Sequence, residues 1–191
     1  MSENSKKKFR KLIYQSQTKW FGMYQEHISN GKILVVGHGL GYTTEIISKT
    51  NPNVVALDVA LEPEAQLKEK VIVYDGSQFP FGDAEFDTVI VSYVLHHAKD
   101  PKKLFEEVAR VSKSKIIIVE ETYSNIFQKL DLARYCRYFN RKAGQKVKIY
   151  WNSYLTSKKI IEFANKSNFA LKSHKAEPMR SYKAELFVFQ R

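Results

Sequence analysis

The sequence has little of several features that mark particular protein classes. Cys136 is the only cysteine among 191 residues, so an intrachain disulfide is excluded and a cysteine-rich metal site is not expected. Neither an internal repeat nor a low-complexity tract is present. No apolar run is long enough to span a bilayer, and the basic start MSENSKKKFRKLIYQ is not followed by the apolar run of a signal peptide. We therefore expect a soluble, cytoplasmic protein.

The remaining composition is that of a globular chain. Apolar residues make up 43% of the sequence, which predicts one domain over residues 1–191 with a full-sized core. Strand and helix patterns alternate, and this favours a parallel sheet with helices on both faces. Strands are predicted near residues 33–36, 53–58, 71–74, 86–91, 115–121, 169–175 and 184–190.

Helix signals lie between most of these strands. Asp100 and Pro101 mark a helix start, after which Glu106 and Arg110 are expected to pair on the exposed face. The crossover between the second and third strands is so short that its helix is expected to be short or irregular. Later in the chain the pattern predicts helices at 125–139 and 156–167, a loop at 140–148, and a turn at Glu177-Pro178.

The most informative segment is ILVVGHGLG at residues 33–41. An apolar strand must leave its sheet through a tight turn at Gly37 and Gly39, and Gly41 then lets the backbone approach a ligand closely. Asp58 follows 21 residues after Gly37, where a carboxylate can accept hydrogen bonds from both ribose hydroxyls. Because Tyr42 stands where a dinucleotide fingerprint has its third glycine, the ligand is expected to contain adenosine without being a dinucleotide.

With the stretch VIVYDGSQFPFGDAEFDTVIVSYVLHHAKDPKKLFEEVARVSKSKIIIVEETY at residues 71–123, the glycine motif resembles class I S-adenosylmethionine-dependent methyltransferases. The resemblance is to the type 11 group and its quinone-biosynthesis branch. Asp75 and Phe86-Asp87 match further motif positions of that family. It implies an α/β, Rossmann-like fold: a seven-stranded, mostly parallel sheet with helices on both faces and an antiparallel C-terminal strand pair. S-adenosylmethionine is the implied cofactor.

The resemblance also implies where that cofactor is held. Asp75 would face the adenine amino group, residues 92–97 would close over the cofactor, residues 1–30 would form a helical lid, and residues 124–168 an insertion on the acceptor side. The expected cofactor-binding residues are Gly37, His38, Gly39, Leu40, Gly41, Asp58, Val59, Asp75, Gly76, Ser77, Ser92, Tyr93, Tyr14 and Trp20.

Two positions depart from the family pattern. Val35 stands where the family commonly has an acidic residue that helps to hold the methionine amino group. His38 stands where small residues are usual, and its side chain would either compensate by hydrogen bonding or crowd the site.

Methyl transfer from a sulfonium needs alignment more than acid–base chemistry. A base is required only if the acceptor must lose a proton, and His96, His97 or Tyr93 could then serve. The two histidines could equally be loop or capping residues. Glu120 and Glu121 end the fifth predicted strand, where either ligand binding or a solvated strand end would explain them. No metal-ligand spacing is visible, so a metal-dependent, catechol-type reaction is not expected.

Charge is distributed unevenly. Residues 1–32, 33–124 and 125–191 carry net charges of +5, −5 and +11. The stretch from Lys129 to Lys148 interleaves basic and aromatic residues, with Arg134, Arg137, Arg141, Lys142 and Lys146 among the former. Such a stretch suits RNA, an anionic membrane surface, or no partner at all.

Three hypotheses remain: transfer to a small-molecule or lipid-like, anionic acceptor; an RNA or tRNA methyltransferase; and a non-catalytic S-adenosylmethionine-binding homologue. The amino-methylating motif of nucleic-acid enzymes is absent after the fourth strand, which favours the first.

Overall fold

The computed structural model describes residues 3–145 and 147–191. Lys146, one of the predicted basic residues, lies outside the described residues. The strands are β1 Ile33–Val36, β2 Val54–Asp58, β3 Val71–Val73, β4 Phe86–Ser92, β5 Ser112–Thr122, β6 Ala170–Pro178 and β7 Lys183–Gln190. The α-helices are α1 Glu3–Tyr24, α2 Tyr42–Ser48, α3 Pro101–Val111, α4 Ile126–Ala143 and α5 Ser157–Lys166.

The described strands form one sheet in the order β3-β2-β1-β4-β5-β7-β6. The first five are parallel, whereas β7 runs antiparallel to both β5 and β6. The predicted Rossmann-like fold with an antiparallel C-terminal pair is therefore confirmed. The chain leaves β1 toward β2 on one side and returns to β4 on the other, so a crevice opens at the carboxyl ends of β1 and β4.

The core lies on both faces of the sheet because the buried side chains of each strand alternate. On one face, Ile33 and Val35 pack with Trp20 and Tyr24 of α1. On the other, the strand residues pack against α3 and α5, as shown by Leu34, Val36, Phe105, Val108, Ile160 and Phe163. Burial of β1 on both sides explains its unbroken apolar sequence.

Local signals set the helix ends. The Asp100 carboxylate accepts from the backbone N–H groups of Lys102 and Lys103, both at 3.1 Å, and Pro101 follows as the first helical residue. Helix α4 begins in the same way, since Asn125 accepts from the Gln128 N–H at 3.0 Å. The predicted helix start at Asp100-Pro101 is confirmed. The crossover between β2 and β3 holds only the short 3-10 helix Lys68–Lys70, as its length predicted.

Three local predictions are wrong. Helix α4 continues past residue 139 to Ala143, because its backbone bonding persists until Gly144 adopts a positive φ of 80°. The C-terminal turn follows Pro178 instead of containing it, since β6 stays paired with β7 up to that residue. Arg110 pairs with Glu107 and Asp83, where the prediction had Glu106. Within the described residues, no helix has both the length and the apolar character needed to cross a membrane.

Candidate functional site

The glycine segment forms a tight loop directly after β1. Gly37, Gly39 and Gly41 have φ values of +78°, +52° and +85°, which side chains rarely tolerate. A Cβ on Gly37 would lie 2.1 Å from Val94, and one on Gly41 would lie 2.6 Å from the Gln66 carbonyl oxygen. Gly37 and Gly41 therefore lack both the conformation and the space for a side chain, and Gly39 is constrained by its positive φ alone, as the tight turn predicted.

Asp58 is held at the tip of β2 by this loop. Its Oδ2 accepts from the Gly39 N–H at 2.8 Å, and its Oδ1 accepts from the Val59 N–H at 2.7 Å. With the Ala60 N–H, which lies 3.4 Å from Oδ1, three backbone donors approach a carboxylate that has about four lone-pair positions. Asp58 is thus oriented by the backbone and still able to accept hydrogen bonds from a ligand.

His38 turns into the protein. Its side chain is buried, with Nδ1 at 3.1 Å from Thr44 Oγ1 and Nε2 at 2.7 Å from the Gln66 carbonyl oxygen. Burial lowers the pKa of His38, so the imidazole is neutral and Nε2–H donates to Gln66. Leu40 is also buried, and its apolar side chain offers no hydrogen bond to a ligand. His38 therefore fastens the irregular crossover to the glycine loop and does not fill the crevice.

Asp75, Gly76 and Ser77 form an exposed turn beside Asp58. The Tyr74 N–H donates to the Asp58 carbonyl at 3.0 Å, which brings the end of β3 next to the tip of β2. The Ser77 hydroxyl and the Ser77 N–H both donate to Asp75 Oδ1, the N–H at 2.9 Å, and these two bonds lower the pKa of Asp75. The exposed Val59 side chain lies close to Gly76.

Helix α1 contacts the end of β4. Ser92 Oγ donates to Gln17 Oε1 at 2.9 Å, and Trp20 Nε1 donates to the Tyr93 hydroxyl at 2.7 Å. Tyr93 has a positive φ of 57°, so the chain bends sharply where β4 ends. Tyr14 lies closer to the N-terminus of the helix. It packs against Tyr42 of α2, and its hydroxyl accepts from Lys49 at 3.1 Å. Of the two aromatic residues predicted for the cofactor site, Trp20 is therefore buried against Tyr93 and Tyr14 packs on α2, and their contact with a cofactor stays a prediction.

A cavity of about 330 Å³ lies beside the glycine loop. It is lined by Arg137, Asn140, Arg141, Gly144, Gln145, Val147 and Ile149. Gln145 connects it with the loop, because its Nε2 is 3.5 Å from the position that a Cβ on Gly39 would take. No ion pair among the described residues involves Arg137 or Arg141, so their charges are free to meet an anion.

A cluster of titratable side chains lies on the other side of Asn140. His96 Nδ1 is hydrogen-bonded to the buried Glu120 carboxylate, and His97 Nδ1 is 3.0 Å from the Lys148 carbonyl oxygen. Cys136 Sγ lies 3.9 Å from His97 Nε2 and accepts from Asn140 Nδ2 at 3.4 Å. We call His96, His97, Cys136, Glu120 and the stacked Tyr154 the His–Cys cluster.

The pKa values of the two histidines in this cluster are shifted in opposite directions. Burial lowers the pKa of His96, but Glu120 and Cys136 more than offset this and hold that pKa well above its usual value. Burial lowers the pKa of His97 to about 3, and the neighbouring His96 adds to the effect. His96 thus carries a proton at neutral pH and His97 is a weak base, so neither is poised as a general base. Their catalytic role, like that of Tyr93, stays a prediction.

Glu120 and Glu121 are not a solvated strand end. Glu120 is 1% exposed, and its Oε2 has no hydrogen-bond partner among residues 3–145 and 147–191. Burial raises the pKa of Glu121 to about 7, and the charge of His96 opposes this rise. The end of β5 therefore places the buried Glu120 side chain next to a Glu121 carboxyl group whose pKa is raised.

Comparison with known proteins identifies the family to which this chain belongs. A model described as a methyltransferase domain matches residues 34–119. An uncharacterised protein of Methanocaldococcus jannaschii is 32% identical over 165 residues, which cover 83% of this chain and 72% of that protein. The chain belongs to the S-adenosylmethionine-dependent methyltransferases.

Two further similarities bear on this methyltransferase. The demethylmenaquinone methyltransferase of Renibacterium salmoninarum is 32% identical over 96 residues, which cover 47% of this chain and only 40% of that enzyme. Magnesium protoporphyrin IX methyltransferase from Synechocystis, solved with bound S-adenosylmethionine, has a TM-score of 0.67 at 14% identity. That superposition covers 100% of this chain and 85% of the other.

S-adenosylmethionine is the cofactor of the methyltransferase, and the residues present fit it. The positive φ values of the glycine loop allow the tight turn that would bring its backbone close to the ligand, and the oriented Asp58 carboxylate would accept from the ribose hydroxyls. Asp75 would bind the adenine amino group. The buried Val35 offers no charge to the methionine amino group, which backbone carbonyls at the ends of β1 and β4 would have to hold. The bound cofactor supplies an electrophilic methyl group.

Sequence reasoning missed several residues of this site. Gln66 acts through its backbone carbonyl, which no side-chain pattern reveals. Asn140 and Tyr154 had no motif, and Cys136 was considered only as a lone cysteine. Their proximity to His97 depends on how α4 packs, because 39 residues separate Cys136 from His97 along the chain.

Proposed function

We propose that this methyltransferase acts on a small-molecule or lipid-like acceptor that carries a negative charge. The observation that carries the proposal is the cavity beside the glycine loop, with Arg137 and Arg141 in its wall. Its volume of about 330 Å³ is at the lower end of the range for small-molecule sites. Two guanidinium groups without acidic partners favour an anionic ligand.

Exposed side chains along α4 support a lipid-like acceptor. Helix α4 presents exposed apolar side chains next to its basic ones: Phe127 is 80% exposed, Ile126 58% and Tyr138 52%. Trp151, 43% exposed, continues this surface. Apolar and aromatic side chains interleaved with arginine and lysine are typical of surfaces that contact the interfacial region of a bilayer.

Side chains of this chain would mainly orient the reactants. Gln145 lines the cavity and approaches Gly39, so a ligand in the cavity would lie close to the cofactor loop. Helix α1 is bound to the end of β4 through Gln17 and Trp20, where it would cover the crevice as a lid and exclude water. In-line alignment of the acceptor with the methyl group then supplies most of the rate enhancement.

Methyl transfer to defined acceptors tests the proposal. We expect transfer of labelled methyl from S-adenosylmethionine to an anionic, lipid-like acceptor such as a long-chain hydroxybenzoate in phospholipid vesicles, with less transfer to the neutral demethylmenaquinol and none to total RNA. R137E/R141E should lower lipid-phase methylation at least tenfold and leave S-adenosylhomocysteine affinity within twofold. The control K172E/K175E makes the same charge change on exposed residues of β6. Labelled RNA, or equal losses in both double variants, would contradict the proposal.

A further inference from the structure

The His–Cys cluster contains the elements of a metal site that the proposed methyl transfer does not require. One ligating atom each from His96, His97 and Cys136 lies within 4.8 Å of the other two. In a tetrahedral zinc site, bonds of about 2.0–2.3 Å put ligand atoms roughly 3.3–3.7 Å apart. The observed distance of 3.9 Å between His97 Nε2 and Cys136 Sγ is already near that range.

Hydrogen bonds orient both imidazoles in the way that metal ligands require. The Lys148 carbonyl can only accept, so His97 Nδ1 must donate to it, which leaves the lone pair on Nε2. His96 Nδ1–H donates to the Glu120 carboxylate, and Nε2 is again the outer nitrogen. A carboxylate or backbone carbonyl on the second nitrogen is the usual support of a metal-binding histidine.

The third ligand is also prepared. Cys136 is 3% exposed and accepts a hydrogen bond from Asn140 Nδ2 at 3.4 Å, which holds its sulfur near the ring nitrogens of the two histidines. Metal binding would displace one proton from Cys136 and one from His96 Nε2 into the buffer.

An independent observation points to a missing group at this place. Tyr154 is 2% exposed and stacks on His96, and its hydroxyl faces Cys136 without a hydrogen bond of good geometry to any of the described residues. A buried polar group left unpaired costs about 1–3 kcal/mol, so such groups usually have a partner in the complete protein. A fourth ligand on a metal, or a water bound to it, would provide that partner.

We propose that His96, His97 and Cys136 bind a zinc-type transition-metal ion, with the fourth coordination position beside Tyr154. Two imidazoles and one thiolate favour zinc, cobalt or copper over magnesium or calcium. The site links the short helix after β4, which holds both histidines, to α4, which holds Cys136. It therefore fixes the wall of the arginine-lined cavity and does not depend on which acceptor is methylated.

Cobalt spectroscopy on metal-stripped protein tests the site directly. We expect one Co²⁺ per chain, with the thiolate-to-cobalt charge-transfer band and the intense visible bands of tetrahedral cobalt. Zn²⁺ should abolish these bands at one equivalent, and Mg²⁺ at millimolar concentration should not. Wild-type protein without a charge-transfer band would overturn the proposal, whatever the variants do.

Variants assign the ligands. C136S should lose the charge-transfer band and bind Zn²⁺ at least 100-fold more weakly, and H97Q should keep the band with at least tenfold weaker binding. E120Q should weaken zinc binding about 10- to 100-fold by removing the support of His96. The control H27Q, far from the cluster, should behave as wild type. Circular dichroism and S-adenosylhomocysteine binding verify the fold of each variant. Unchanged zinc affinity in C136S, or an equal loss in H27Q, would refute the assignment.

Discussion

Replacing Asp58 with asparagine tests the cofactor site with the smallest change in shape. Asp58 uses one oxygen for the Gly39 N–H and the other for the Val59 N–H. An asparagine amide has a single acceptor oxygen, so its NH₂ group must face one of these two donors. We expect D58N to fold, because the carboxylate lies at a strand tip outside the core, but to hold the glycine loop and the ribose less well.

The size of the effect follows from the bonds that change. Hydrogen bonds to a charged group contribute about 1.5–3 kcal/mol each, and D58N removes the charge that ribose hydroxyls would meet. If one such bond is lost from the complex, cofactor affinity falls roughly 10- to 150-fold. A larger loss would mean that the Gly39 contact also organises the loop.

Titration calorimetry with S-adenosylhomocysteine measures this affinity without turnover. Asp100 provides the matched control, because D100N makes the same charge change at a helix cap where asparagine serves about as well. D100N should bind within twofold of wild type. If D58N also binds within twofold, or if both variants lose affinity equally, the assignment of Asp58 to the ribose is wrong.

Two further predictions concern stability. Burial raises the pKa of Glu121 to about 7 from an ordinary value of 4.5. Between these two pH values the folded protein keeps a proton on Glu121 that the unfolded chain releases. The contribution of Glu121 to the free energy of unfolding therefore falls as pH rises. E121Q should therefore be more stable than wild type by about 1–3 kcal/mol at pH 8 in urea unfolding, and no more stable at pH 4; a gain of equal size at both pH values would contradict this. G41A should lower the free energy of unfolding by about 2 kcal/mol or more, because φ is +85° and the new Cβ would lie 2.6 Å from the Gln66 carbonyl. G22A, on an exposed helix position with nothing within 4 Å, should instead raise it by up to about 1 kcal/mol, and a matching sign in the two variants would refute the argument.

The sheet and the glycine site could be predicted because their signals are local. The four residues of β1 are all buried, so an unbroken apolar run was required, and the strained turn after it admits only glycine. Asp58 follows from the length of one strand–helix–strand unit. Such features depend on neighbours in the sequence, which a single chain displays directly.

The acceptor side could not be predicted because its contacts are distant in the sequence. Glu120 was ambiguous from its position at a strand end, and only its pairing with His96 explains a fully buried carboxylate. The end of α4 was placed too early because Gly144, not the loss of apolar periodicity, terminates the helix. Cys136 joins the two histidines only once that helix packs against α1 and Tyr154.

Asn140 connects the parts of the site that sequence reasoning kept separate. Its Nδ2 donates to Cys136 Sγ in the His–Cys cluster, its side chain lines the arginine cavity, and its carbonyl accepts from the Gln145 N–H at 3.0 Å. Gln145 in turn approaches Gly39 of the cofactor loop. A change of charge at Cys136 would alter the strength of the Asn140 bond, since hydrogen bonds to charged acceptors are about twice as strong. The state of the cluster is therefore coupled, through one side chain and the residue it positions, to the cavity that would hold the acceptor.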